Sequence, residues 1–134
     1  MSVRKVLDSY AVIAYLNKEP GVDRVIVLFR QARDSGRPLL MSVVNWGEVL
    51  YIFHREQGKE VADQVSQILD TLPIEVVDAD RAVTRAAAEF KASKKMSYAD
   101  CFAVALAQSR KAQLVTGDKK FKEVADAISI EWLG

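Results

Sequence analysis

The chain has 134 residues, half of them hydrophobic and 28% charged, with a net charge of +1. These values suit one globular domain, residues 1–134, with a real core, and exclude a disordered or low-complexity chain. The longest apolar runs fall far short of a membrane span, and a charge so near zero neither demands nor excludes a nucleic-acid partner.

The start, MSVRKVLDSY, enters a strand at once and carries no apolar leader. Val3 to Leu7 reads as a short buried strand. Ser9 to Asn17 reads as a helix ended by the Pro20-Gly21 turn. Val22, Val25, Ile26 and Phe29 have helical spacing, which predicts a helix over 22–35 stopped by Gly36. Leu39 to Ser42 is a second strand. Val43 to Gln57 is a helix closed by Gly58, and Lys59 to Thr71 is another, broken by Pro73. Ile74 to Val77 is a third strand. Helices follow over 80–93 and 97–110, then a strand from Gln113 to Thr116, one or two helical turns over 119–127, and a weak last strand over 129–132. Strands alternating with helices imply a parallel sheet covered on both faces. The single cysteine, Cys101, allows no internal disulfide, so a cytoplasmic location is expected. Set among apolar residues, it reads as a structural thiol.

Four acids fall where such a sheet brings side chains together. Asp8 ends the first strand in KVLDSY, Glu48 lies in VVNWGEVLYIF, Asp100 opens SYADCFAVALA, and Asp118 follows the fourth strand in LVTGDKKF. In an open parallel sheet, ligands bind beyond the carboxyl ends of the strands. Carboxylates about 4 Å apart at a protein surface repel by roughly 4 kcal/mol per pair, and a hard cation turns that repulsion into a ligand set. Three of the acids also have a plain structural reading. Asp8 can cap the helix at Ser9, Ser97 and Asp100 have capping-box spacing, and Asp118 can cap a short helix. Glu48 resists that reading. Its helix carries Val44, Asn45, Tyr51 and Ile52 on one side and Trp46, Leu50 and Phe53 on the other, with no basic residue three or four positions away. A buried carboxylate there needs an ion or a tertiary partner.

Near the acids there is no histidine to act as a base. His54 falls on another helix face, as a surface or interface residue. Ser9 reads as a first-turn hydroxyl, with contact to a site water as the alternative. Lys94, Lys95, Lys119, Lys120 and Lys122 flank the acids and can grip phosphates or simply be solvated. Tyr10 to Leu16 has no formal charge, and this apolar surplus predicts an exposed groove that marks a partner site.

LDSYAVIAYL, NWGEVLY, YADCFAVALA and LVTGDKKF, in that order over nearly the whole chain, resemble the PIN-domain family and, within it, the stand-alone VapC-type toxins. The resemblance implies a three-layer α/β/α sandwich around a five-stranded parallel sheet. It implies Mg²⁺- or Mn²⁺-dependent endonucleolytic RNA cleavage leaving a 5′-phosphate and a 3′-hydroxyl. Asp8, Glu48 and Asp100 match the usual metal ligands. Asp118 matches a fourth acid that often acts through water, and Thr116 a hydroxyl that supports the cluster. A protein antitoxin and a toxin homodimer are implied as partners. Tyr10 departs from the pattern, standing where many relatives have a small residue.

Two other classes compete. A response-regulator receiver also holds Mg²⁺ on aspartates at strand ends, with Asp78 as its phosphoacceptor, but leaves Glu48 and Asp100 unexplained. A catalytically idle PIN-like scaffold would show a gap in the acid set, and the sequence has none.

Overall fold

The computed structural model describes residues 3–134; Met1 and Ser2, the first two residues of the expected domain 1–134, lie outside it. Five parallel strands form one sheet in the order β3-β2-β1-β4-β5: β1 Lys5–Leu7, β2 Leu39–Ser42, β3 Ile74–Val77, β4 Gln113–Thr116 and β5 Ile130–Trp132. Helices α1 Ser9–Leu16 and α2 Val22–Ser35 link β1 to β2. Helices α3 Val43–Gln57 and α4 Lys59–Thr71 link β2 to β3, and α5 Arg81–Ser93 and α6 Tyr98–Ser109 link β3 to β4. A 3₁₀ turn, Lys119–Val124, precedes β5.

Strand alternation sorts the core into two layers. Val6, Leu40 and Leu114 point to one face and pack on α5, α6 and the 3₁₀ turn. Leu7, Leu39, Met41 and Val115 point to the other, against α1 to α4. Every residue of β2 is buried because strands flank it and helices cover both its faces, whereas β3 at the edge is largely exposed. This is the three-layer α/β/α sandwich expected from the alternation.

Sequence punctuation sets the helix ends. Gly36 adopts φ 69° to stop α2. Gly58, at φ 94°, ends α3 and starts α4 in one residue, a conformation closed to most side chains. The edge strand β5 is tied back by charge: Glu131 accepts from Lys5 at 2.8 Å and from Arg24 at 2.5 Å, and the Arg24 contact is the main reason its carboxyl titrates below the usual range.

The strand order fixes where a site can form. From β1 the chain moves outward through β2 and β3, then returns to lay β4 on the other side of β1. The switch point therefore lies between β1 and β4, at their carboxyl ends. Leu7 pairs with Val115, so one step further along the register Asp8 lies beside Thr116.

Candidate metal and catalytic site

Asp8 follows β1 directly and is almost fully buried, at 2% exposure. One carboxylate oxygen accepts from the Ala11 backbone N–H at 2.9 Å, capping α1. The other accepts from the Thr116 hydroxyl at 2.5 Å. Thr116 is itself fully buried at the end of β4, and its oxygen accepts from the Asp118 backbone N–H at 3.0 Å. One hydroxyl thus ties the end of β1 to the loop carrying Asp118. Asp118 in turn accepts from the Lys120 N–H at 3.0 Å and caps the 3₁₀ turn.

Glu48 comes from α3. It is half-buried rather than buried, which corrects the reading of α3 as enclosed on all sides: Tyr51, one turn on, is 51% exposed. Its tertiary partner is Ser9, whose hydroxyl donates to Glu48 Oε1 and lies 3.3 Å from the Asn45 carbonyl oxygen. Ser9 is accordingly a buried link between α1 and α3 rather than a free first-turn hydroxyl, the capping being done by Asp8.

Asp100 lies in the first turn of α6. That helix feeds β4, so its start returns to the carboxyl edge of the sheet. The Ser97 hydroxyl accepts from the Asp100 N–H at 3.1 Å, as the capping-box spacing predicts. The capping readings hold, and they do not compete with the site reading, because the fold collects helix starts at the same edge as strand ends.

Electrostatics shows that the acids sense one another. Burial is the main cause that raises Asp8 to about 7; Thr116 and Ala11 pull the other way, and the charges of Asp100 and Asp118 add to the rise. Asp100 is also raised, chiefly by burial, with Ser97 opposing and the charges of Glu48 and Asp118 adding. As they stand, the side chains do not form a finished cage: among the described residues, no three histidine, cysteine or acidic side chains are placed to hold an ion. Both Asp8 oxygens are engaged with protein donors, and Glu48 leans to Ser9. The donor set is carboxylate oxygen throughout, which suits a hard cation.

The raised carboxyl of Asp8 makes metal-free stability depend on pH. Asp8 titrates near 3.8 when unfolded and near 7 when folded, so the unfolded state releases its proton first. The stability that Asp8 contributes is therefore fully present at or below about pH 4, falls as pH rises towards 7, and levels off above it, a loss on the order of a few kcal/mol. Thermal melts in a chelating buffer from pH 5 to 8 should show this fall, and Asp8→Asn should flatten most of it. An equal slope in both proteins would place the titrating group elsewhere.

Two residues at the site lack a simple sequence signal. Asn45, fully buried three residues before Glu48, donates through Nδ2 to the Ala99 carbonyl at 3.1 Å. Its one clue is a poor helix former inside an apolar helix. Tyr10, 40% exposed, lays its ring against Gly117 so closely that a Cβ there would lie 2.4 Å from a ring carbon. A side chain at position 117, between Thr116 and Asp118, would have to displace the Tyr10 ring.

Other candidates fall away from this edge or stay on the surface. His54 is exposed near the end of α3. Cys101 is buried, and burial raises its thiol. Asp78 directly follows β3, with β2 between that strand and β1. Lys95, Lys119, Lys120 and Lys122 are exposed and Lys94 half-buried, and none forms an ion pair among the described residues. Beside the first helices lies a groove of about 670 Å³, with apolar Tyr15, Ile26, Phe29 and Ile68 in its lining and charged Lys18, Asp23, Arg30 and Arg33 among them. Among the described residues no helix is long and apolar enough to cross a membrane.

The profile of the family described as PIN domain matches residues 5–127. No curated protein matches the chain in sequence. Among solved structures, the chain is similar to VapBC2 from Rickettsia felis bound to a promoter DNA fragment, at 18% identity and a TM-score of 0.78 over 97% of this chain and 98% of that one. It is similar to a toxin–antitoxin complex from Klebsiella pneumoniae, at 15% identity and 0.66 over 95% of both chains. It is also similar to VapC20 from Mycobacterium tuberculosis, a sarcin-ricin loop cleaving toxin, at 15% identity and 0.70 over 92% of this chain and 95% of that one.

Proposed function

The chain belongs to the PIN-domain family, and from that premise we propose that it is a Mg²⁺- or Mn²⁺-dependent endoribonuclease, the toxin of a toxin–antitoxin pair. The observation that carries the proposal is a chain of electrostatic contacts beside the switch point between β1 and β4: Asp8 feels Asp100 and Asp118, and Asp100 feels Glu48 and Asp118. Asp8, Glu48 and Asp100 would hold the cation directly, and Asp118 through water. When bound, the ion would lower the pKa of an attacking water and neutralise charge on the phosphate.

The chain's own residues do the rest. Thr116 holds one Asp8 oxygen, and through the Asp118 N–H it fixes the spacing of the two strand-end acids. Ser9 holds Glu48 Oε1 and so fixes where α3 presents that carboxylate. Lys119, Lys120 and Lys122, just past Asp118, supply positive charge for the RNA backbone. The structures resembling this one include toxin–antitoxin complexes, which supports a protein antitoxin, and the groove by α2, apolar and charged by turns, suits it as a docking face. A homodimer and a cytoplasmic setting belong to the same proposal.

Asp78 weakens the receiver alternative, because it is exposed at the edge strand and separated from Asp8 by β2. The discriminating experiment incubates the purified protein with Mg²⁺ and acetyl phosphate, and separately with Mg²⁺ and a mixed RNA pool. RNA fragments and no phosphoprotein are expected. A phosphoprotein lost in Asp78→Asn, with RNA untouched, would overturn the proposal.

A further inference from the structure

Asn45 is fully buried inside α3, yet only half of its amide is satisfied. Nδ2 donates to the Ala99 carbonyl, and because that partner is an acceptor, the orientation of the amide is fixed. Oδ1 is left with no donor among the described residues, a state that costs stability in a protein interior. A leucine has the same branching and would occupy the place without that cost. The polar side chain is therefore poorly explained by packing.

Its neighbours supply another explanation. Ala99 immediately precedes Asp100 in the first turn of α6. The Asn45 backbone carbonyl lies 3.3 Å from Ser9 Oγ, the hydroxyl that donates to Glu48. Asn45 also stands three residues before Glu48, on the same side of α3. One residue thus links the turn that carries Asp100, the hydroxyl that holds Glu48 and the helix that carries Glu48.

We infer that Asn45 is a positioning residue for the carboxylate cluster, setting the separation of Glu48 and Asp100 for a divalent cation. This inference rests on the metal-dependent reading above. Asn45 acts through the Ala99 carbonyl and not by direct contact with substrate.

The test compares wild type with Asn45→Leu by two measurements: the metal-free melting temperature, and the affinity for Mn²⁺ by calorimetric titration. Asn45→Leu should melt at or above the wild-type temperature and bind Mn²⁺ about 10- to 100-fold more weakly, the range for residues that orient metal ligands. Wild-type affinity in a folded Asn45→Leu protein overturns the inference. So does a large loss of melting temperature, which would make Asn45 a structural residue. A wild-type protein that takes up no Mn²⁺ overturns the metal-dependent reading itself, and the inference with it.

Discussion

Glu48→Gln should keep the fold and remove the proposed RNA cleavage. Glutamine has the same length and retains the oxygen that accepts from the Ser9 hydroxyl, so the link between α1 and α3 survives. Glu48 is half-buried, and losing its charge also relieves repulsion on Asp100. The melting temperature should therefore stay level or rise slightly. Cleavage should fall by about 10³-fold or more, because even groups one step removed from a metal cost about 10- to 100-fold. A folded Glu48→Gln protein with near-normal cleavage would make Glu48 a structural residue and remove it from the proposed ligand set.

Mn²⁺ should raise the melting temperature of the wild-type protein substantially. A cation that binds only the folded state at 100 times its dissociation constant stabilises by about 2.7 kcal/mol, a shift on the order of 10 °C for a chain of this size. Binding draws protons off Asp8 and Asp100, whose carboxyls are raised in its absence, so the shift should be larger at pH 8 than at pH 6. Asp8→Asn with Asp100→Asn should abolish the shift and raise the metal-free melting temperature, since two carboxyls that burial penalises have gone. The full shift retained in the double variant would place the ion elsewhere.

Most of the fold was legible because its punctuation is explicit. Gly36, Gly58 and Pro73 end elements where their backbone preferences require, and the alternation of apolar strands with amphipathic helices leaves few topologies. Boundaries moved at element ends: β1 starts at Lys5 rather than Val3 and β5 at Ile130 rather than Ser129, α1, α5 and α6 are each shorter by a residue at one or both ends, and the 3₁₀ turn stops at Val124 rather than 127. The four acids were legible as a group because each sits at a strand end, at a helix start or alone in an apolar helix. Their local bonds, Asp8 capping α1 and Ser97 capping Asp100, were legible too, but the long-range ones were not legible from the pattern of residues. Thr116 and Asp8 are 108 positions apart, and Ser9 and Glu48 are 39 apart. Such pairs are made by the return of β4 beside β1 and by the packing of α1 on α3, which local pattern does not encode. The exposure of Glu48 was misjudged for the same reason, because helical periodicity cannot tell a core face from one that opens onto a crevice. Asn45 was passed over as one polar neighbour of Glu48, since its meaning lies in the Ala99 carbonyl of another helix.

If the carboxylate cluster cuts RNA through a divalent cation, as proposed, the end groups of the products will carry the mark of that chemistry. Purified protein is incubated with end-labelled RNA in Mg²⁺ or Mn²⁺, then with EDTA, with the Asp8→Asn and Asp100→Asn double variant as a control for contaminating nucleases. The predicted result is fragments bearing 5′-phosphates and 3′-hydroxyls that appear with the cation, cease with EDTA and are absent from the double variant. Cleavage that persists in EDTA, or products ending in 2′,3′-cyclic phosphates, would contradict it.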